Sequence, residues 1–195
     1  MMERFTTHIG RVVALPRVNV DTDQIIPKQF LRSIERTGFG AVLFYDWRYE
    51  TDGAIKPEFE LNRPEAANAS VLLAGANFGC GSSREHAAWA LADFGFRCII
   101  AESFGDIFQA NCSQNGILPV TLPSPAVHEL FRRCAGTAGY ELSIDLESQL
   151  VRDRQGFAQL FDTDPYRRAM LLSGQDEIGK TLMLEDRIAA FEQRS

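Results

Sequence analysis

The chain has 195 residues, of which 45% are hydrophobic and 24% charged, and its formal net charge at pH 7 is −6. This length suits one ordinary domain with a hydrophobic core. An acidic chain without a long Lys/Arg cluster is not expected to bind nucleic acid, and no stretch reaches the roughly 20 apolar residues that a membrane span requires. Residues 1–10 lack the apolar segment of a secretory signal, so we expect a cytoplasmic protein with reduced cysteines.

The N-terminal third shows one clear element followed by an irregular stretch. Residues 10–15 are predicted to form a strand. Residues 30–68 are rich in aromatic, charged and turn-forming residues but show no sustained period. Because no period is sustained, we expect a long loop excursion here rather than packed core. Loops of this length are usually functional or mobile.

From Ser70 onward, apolar strands alternate with helical patterns. Strands are predicted at 71–76, 98–101 and 117–121, and helices at 83–94, 104–112 and 126–134. A hairpin at 140–145 and 149–152 follows, then helices at 164–172 and 184–193 in a helical C-terminal tail that begins near residue 160. This order predicts a single α/β domain spanning residues 1–195, with a mostly parallel central sheet flanked by helices.

Residues 77–88, which read N-F-G-C-G-S-S-R-E-H-A-A, carry the strongest chemical signal. A predicted strand leads into two glycines, two serines, an arginine and a helical pattern. Backbone N–H groups in the first turn of a helix lack partners within the helix, and the helix dipole adds partial positive charge there. Together with Arg84, these groups predict a binding site for an anion such as a carboxylate.

A simpler interpretation of the same residues is a capping box, in which Ser82 and Glu85 satisfy each other's backbone N–H groups. A cap alone does not explain the second serine, the arginine and the two glycines. A dinucleotide fingerprint requires glycine where Arg84 stands, and neither serine has the flanking glycines of a nucleophile elbow. Spacing alone leaves the cap and the anion site both open.

The segment 77–88 resembles the signature of the mobile fourth domain of the aconitase superfamily. Residues 19–28, N-V-D-T-D-Q-I-I-P-K, look like the N-terminal signature of the small subunits of 3-isopropylmalate dehydratases, also called isopropylmalate isomerases. Similar segments recur at 37–47, 101–111 and 118–120, so the resemblance covers essentially the whole chain. It implies a swivelling β/β/α-type domain.

The resemblance also implies a hydro-lyase activity that interconverts 2-isopropylmalate and 3-isopropylmalate through an alkene in leucine biosynthesis. It places Ser82 at the position of the catalytic base, and Ser83 and Arg84 at positions that hold a substrate carboxylate. It places Asp23 at the cleft, where a carboxylate can orient other groups. The residues 21–23 by themselves are equally typical of a turn after a strand.

The loss of hydroxide requires a Lewis acid, which in this family is an iron of a [4Fe–4S] cluster. The four cysteines at positions 80, 98, 112 and 134 lack the spacing of cluster or zinc ligands, and the three histidines are far apart. We expect no metal on this chain. The resemblance implies a separate large subunit that carries the cluster, in a heterodimer or higher assembly, with the active site at the interface. Cys80 lies between two glycines and is interpreted as a small residue in a tight turn rather than a reactive thiol.

The resemblance places the loop 28–34 over the variable group of a small dicarboxylic hydroxy-acid substrate. Phe30, Leu31 and Ile34 suit an isopropyl group, whereas Arg32 suits an extra carboxylate or one common to all substrates. The alternatives are therefore a related hydro-lyase subunit that acts on homoaconitate or on a methyl-substituted malate or citraconate, or a non-enzymatic anion-binding module. The long 37–68 segment resembles the leucine-pathway subunit and favours it.

Overall fold

The computed structural model describes residues 2–31 and 37–175. Arg32 and Ile34 of the predicted specificity loop lie outside the described residues. The predicted helix at 184–193, and with it the end of the predicted C-terminal tail, also lies outside them.

The described residues form one seven-stranded sheet with the order β4-β3-β2-β1-β5-β6-β7. The strands are β1 Thr7–Leu15, β2 Ala69–Ala74, β3 Cys98–Ala101, β4 Leu118–Thr121, β5 Glu141–Asp145, β6 Leu150–Arg152 and β7 Ala158–Leu160. Strands β1 to β4 pair in parallel, whereas β5, β6 and β7 extend the sheet from β1 in antiparallel pairs. The α/β class and the hairpin after residue 140 are confirmed, and parallel pairing is confined to the first four strands.

Six helices accompany the sheet in the described part of the chain. They are α1 Thr22–Ile25, α2 Tyr45–Arg48, α3 Glu85–Phe94, α4 Asp106–Gln114, α5 Ser124–Gly136 and α6 Pro165–Ser173. Helix α3 buries a face of small residues and Leu91, and it ends at Gly95, whose φ of 114° suits a residue without a Cβ. None of the helices in the described part of the chain is long and apolar enough to span a membrane.

Two hydrophobic clusters cover the two faces of the sheet. Along β2, Leu72 and Ala74 belong to the cluster beneath α3 and α4, whereas Val71 and Leu73 belong to the cluster beneath α5 and α6. Neighbouring side chains of a strand point to opposite faces, so a strand buried on both faces reads as one continuous apolar run. This explains why β2 and β3 were recognisable from the sequence.

The expectation that residues 30–68 lie outside the packed core is wrong. Four short 3₁₀ helices, Lys28–Phe30, Phe39–Val42, Glu60–Asn62 and Pro64–Ala66, fold this stretch together with α2. Six of its apolar residues are buried in the cluster beneath α3 and α4, namely Phe39, Leu43, Phe44, Phe59, Leu61 and Ala66. The segment is held to α3 by Asp93, whose carboxylate accepts the N–H groups of Gly38 (2.9 Å) and Gly40 (2.7 Å). Irregular turns leave no period in the sequence, yet the aromatic side chains that they carry are buried in the core.

Gly79 lies where the loops after β2 and β3 run side by side, and its φ is 71°. A Cβ at this position would lie 2.1 Å from a ring carbon of Phe108, which is itself buried. A Cβ on Gly105 would lie 2.5 Å from the Gly79 carbonyl oxygen. The two loops can therefore approach this closely only because both positions are glycine.

Gly79→Ala is expected to lower the free energy of unfolding by about 2–5 kcal/mol, since a positive φ and an overpacked contact both oppose the methyl group. Gly53→Ala is the matched control, because Gly53 has a similar φ of 85° but a Cβ added there would meet no heavy atom of the described residues within 4 Å. Its expected cost is about 1–2 kcal/mol. Urea denaturation of both variants measures the difference, and equal costs would show that the contact with Phe108 is not tight.

Candidate active site

The candidate site lies at the carboxyl edge of the parallel strands, where the loops after β1, β2 and β3 meet. Adjacent parallel strands bring their carboxyl ends to one edge of the sheet, and ligands of α/β proteins commonly bind there. Both signature segments, 19–28 and 77–88, fall at this edge. The fold therefore brings together two segments that are far apart in the chain.

Backbone pairing between the first two loops continues past the end of the sheet. The Val20 carbonyl accepts the N–H groups of Gly79 (2.7 Å) and Cys80 (3.2 Å), and the Thr22 N–H donates to the Cys80 carbonyl (3.0 Å). Cys80 is half-buried, with its backbone held between these partners. Its environment agrees with the interpretation as a turn residue.

The third loop is tied to the second by a similar set of bonds. The Asn77 N–H donates to the Ser103 hydroxyl (2.8 Å), and the Phe78 N–H donates to the Ser103 carbonyl (3.0 Å). The Gly105 N–H in turn donates to the Phe78 carbonyl (3.0 Å). All three loops thus form one hydrogen-bonded unit beneath the site.

Helix α3 begins at Glu85, two residues later than predicted, and its N-cap is Arg84 without a side-chain cap. The capping-box interpretation of Ser82 and Glu85 is wrong, because the Glu85 carboxylate instead accepts Trp89 Nε1 (3.2 Å) and Asn115 Nδ2 (3.3 Å). The Ser82 side chain therefore does not cap the N-terminus of α3.

A complete capping box forms in the other signature. The Asp21 carboxylate accepts the Gln24 N–H (2.7 Å), and the Gln24 side chain accepts the Asp21 N–H (2.9 Å). The D-x-x-Q spacing was the available signal for this cap, and sequence reasoning missed it. Asp21 thereby fixes the short helix α1, on which Asp23 is carried.

Ser82 and Ser83 are both exposed. Their hydroxyl groups make no hydrogen bond to any residue in the described ranges 2–31 and 37–175. The backbone at this point is anchored, because the Ser82 carbonyl accepts the hydroxyl of Thr22 (2.8 Å). The two hydroxyls are thus presented to the cleft from a fixed backbone.

Arg84 and Asp23 form an ion pair across the two signatures, with Arg84 Nη1 donating to Asp23 Oδ1. Only 13% of the Arg84 side chain is exposed. Lys28 Nζ lies 3.8 Å from the other Asp23 oxygen. The hydrogen bond from Arg84 is the main reason why the pKa of Asp23 lies below its ordinary value, and the charges of Arg84 and Lys28 lower it further. Asp23 is thus one carboxylate between two cations.

Arg84, both serines and Thr22 line a cleft of about 270 Å³, together with the start of α4 at 106–108. Two larger clefts, of about 390 Å³ beside β5 and β6 and about 730 Å³ between β1 and α5, contain no predicted site residue. The smaller cleft is the candidate site because it combines unbonded hydroxyls, an ordered guanidinium and an uncapped helix start.

The structure does not bring every predicted site residue into this cleft. Phe30 and Leu31 are partly buried against the cluster beneath α3, and the Phe30 ring lies 4.8 Å from that of Tyr45. Their assignment to a specificity loop stays a prediction. Thr22 and Lys28 belong to the site region, but sequence reasoning assigned neither residue a role of its own, although they lie in the predicted tripeptide 21–23 and loop 28–34.

The cysteines do not fit an iron–sulfur cluster. Cys98 and Cys112 are fully buried, and burial raises the pKa of both thiols. Across residues 2–31 and 37–175, no group of three or more His, Cys, Asp or Glu side chains is placed to hold a metal ion. The described part of this chain therefore supplies no ligand set for such a cluster.

Comparison with known proteins identifies the family. The model of the aconitase C-terminal domain matches residues 2–125, and a model described as LeuD_N matches residues 128–165. The chain is 58% identical over 193 residues to 3-isopropylmalate dehydratase small subunits of Anoxybacillus flavithermus and Geobacillus kaustophilus, covering 99% of this chain and 99% and 98% of those proteins. The small subunit of Rhodopirellula baltica is 55% identical over 193 residues, with 98% of both chains covered.

A solved structure agrees with the fold. The crystal structure of a 3-isopropylmalate dehydratase from Methanocaldococcus jannaschii superposes with a TM-score of 0.68 at 24% identity, covering 97% of this chain and 99% of that one. At this identity the likeness supports the fold alone, whereas the full-length relatives above establish the kinship. The chain therefore belongs to the family of 3-isopropylmalate dehydratase small subunits, built on the aconitase C-terminal domain.

Proposed function

We propose that this chain is the small subunit of an isopropylmalate isomerase, which interconverts 2-isopropylmalate and 3-isopropylmalate by dehydration and rehydration in leucine biosynthesis. The observation that carries the proposal is the 58% identity to named small subunits over 99% of the chain. The proposal includes a large subunit that carries a [4Fe–4S] cluster and closes the cleft, in the cytoplasm.

Ser82 is proposed as the base that removes a proton from the carbon next to a substrate carboxylate. A serine hydroxyl is a weak acid, so its anion requires nearby positive charge and little water. The uncapped start of α3 and Arg84 offer positive charge, and the proposed large subunit would exclude water. An exposed hydroxyl without a competing hydrogen bond among the described residues is available for this role.

Arg84 and Ser83 are proposed to hold the substrate carboxylate on which negative charge builds up as the proton leaves. A guanidinium has five N–H donors, so Arg84 can bind Asp23 and still present donors to a ligand. Asp23 orders this side chain before substrate arrives, which lowers the cost of binding and places the cation where charge develops.

The loop after α1 is proposed to determine substrate specificity. Phe30, Leu31 and Ile34 would contact an isopropyl group, and Arg32 would bind a carboxylate. The loop follows directly from Lys28, whose ammonium group lies beside Asp23. This nearness of Lys28 to the Asp23–Arg84 ion pair supports a role for the loop in recognising the group that varies between substrates.

Ser82→Ala is expected to lower kcat by about 10²–10⁴-fold, the usual contribution of a positioned acid–base group. The assay mixes the chain with the cluster-bearing large subunit and follows formation of the alkene from isopropylmalate by ultraviolet absorbance. Because Ser82 does not cap α3, the variant should change the free energy of unfolding by no more than about 0.5 kcal/mol.

Ser148→Ala is the matched control, since Ser148 is an exposed serine in the turn between β5 and β6. It should retain wild-type turnover. Full activity of Ser82→Ala would remove Ser82 from the chemistry, and activity of the wild-type chain without a large subunit would refute the two-subunit proposal.

Asp23→Asn is expected to lower kcat/KM by about 10-fold or more, because Arg84 loses the charged partner that orders it. Because the pKa of Asp23 is lowered, its carboxylate stays ionised below the ordinary titration range of an aspartate. Its negative charge, and with it the ion pair, is lost only on strong acidification. Wild-type activity at near-neutral pH should therefore show no titration of Asp23. Asp145→Asn, which changes another carboxylate of lowered pKa on β5, should leave kcat/KM unchanged.

A further inference from the structure

We infer that Thr22 is a positioning residue for Ser82, and that its hydroxyl fixes the backbone from which the proposed base reaches the substrate. This inference rests on the proposed function of Ser82 and adds a residue to which the comparisons assign no role. The observation behind it is the hydrogen bond from Thr22 Oγ1 to the Ser82 carbonyl at 2.8 Å.

The three residues of the D-T-D signature have separable contacts. Asp21 caps α1 and Asp23 binds Arg84. Thr22 differs from both, since it is 3% exposed and is, with Ser113, one of two buried polar residues in the described part of the chain. A buried hydroxyl is stable only when it is hydrogen-bonded, and the partner of Thr22 is the Ser82 carbonyl.

The backbone pairing between the two signatures ends just before the serines. Val20 and Thr22 bind Gly79 and Cys80 through main-chain groups. Beyond Cys80, the Thr22 hydroxyl makes the single tertiary hydrogen bond to the backbone of residues 81–83 that the described residues provide. That bond continues the pairing across Gly81, whose φ of 88° marks a sharp turn.

Residues 81–84 lie between the end of this pairing and the first turn of α3, and they belong to no helix or strand. Without the Thr22 hydroxyl, the segment is held only at its two ends. Ser82 would then occupy its working position for a smaller fraction of time. The turnover number would fall with that fraction. A displacement of about 1 Å at a reacting group already costs about 10²-fold in rate.

Thr22→Val removes the hydroxyl and keeps the branched shape, whereas Thr22→Ser keeps the hydroxyl. In the reconstituted enzyme, Thr22→Val should lower kcat by about 10–100-fold with KM changed less than about 3-fold, because Arg84 keeps its partner Asp23. Thr22→Ser should restore kcat to within about 3-fold of wild type.

Ser113→Ala is the matched control for loss of a buried hydroxyl. Ser113 Oγ donates to the Gln109 carbonyl within α4 (3.1 Å) and takes no part in the site. Both variants should lower the melting temperature by about 2–4 °C, but only Thr22→Val should lower kcat. Amide hydrogen exchange of Thr22, Gly79 and Cys80, whose N–H groups pair the two loops, should be faster in Thr22→Val and unchanged in Ser113→Ala.

Three results would overturn the inference: wild-type kcat in Thr22→Val, an equal loss of kcat in Ser113→Ala, or failure of Thr22→Ser to restore activity. Failure of the proposed function is recognised separately, because wild-type chain and large subunit together would then not turn over isopropylmalate. The exchange measurement needs no activity and tests whether the Thr22 hydroxyl stabilises the pairing of the two loops in either case.

Discussion

The candidate site depends on one set of hydrogen bonds, those that join Val20 and Thr22 to residues 79–82. Four bonds of 2.7–3.2 Å carry the pairing of β1 and β2 beyond the sheet and into the loops. They place Asp23 and Arg84 within contact although 61 positions separate them in the chain. Gly79 permits the close approach of the loops after β2 and β3, since any side chain at this position would meet Phe108. These hydrogen bonds therefore set the positions of the ion pair and of the serines.

The charged residues and the exposed serines of this site have different roles. The chain as a whole is acidic, with a net charge of −6, yet Arg84 and Lys28 both lie beside Asp23. The Arg84 guanidinium lines the cleft together with Asp106, and Asp23 keeps it ordered without occupying all its donors, so that it can still bind a substrate carboxylate. The serines, by contrast, are exposed. Reaction at such a position requires a second surface to exclude water, which is why we propose that a partner supplies the other half of the site.

Much of the fold was readable from the sequence because buried parallel strands and amphipathic helices leave strong patterns. Strand β3 was predicted at its observed bounds, and the hairpin of β5 and β6 was also predicted close to its observed position. Strand β7 was missed, since it has three residues and no buried one. The buried aromatic residues of the 37–68 segment were misjudged because 3₁₀ turns have no long period.

The site shows the same limit of local patterns. Ser82 and Glu85 fit a capping box, but Asn115 and Trp89 compete for Glu85, and Thr22 binds the Ser82 carbonyl. Those partners are not visible in the spacing of the two capping residues. The two signatures were found through their resemblance to a family, and their contact depends on the register of loops that no spacing rule provides. The roles of Arg32 and Ile34 stay predictions, since both residues lie outside the described ranges.

The most direct test is a structure of the complex with the large subunit and an unreactive isopropylmalate analogue. We expect Ser82 Oγ to lie about 3–3.5 Å from the carbon that loses its proton, with a substrate carboxylate on Arg84. An analogue bound elsewhere, or Ser82 directed away from that carbon, would contradict the proposed role of this cleft.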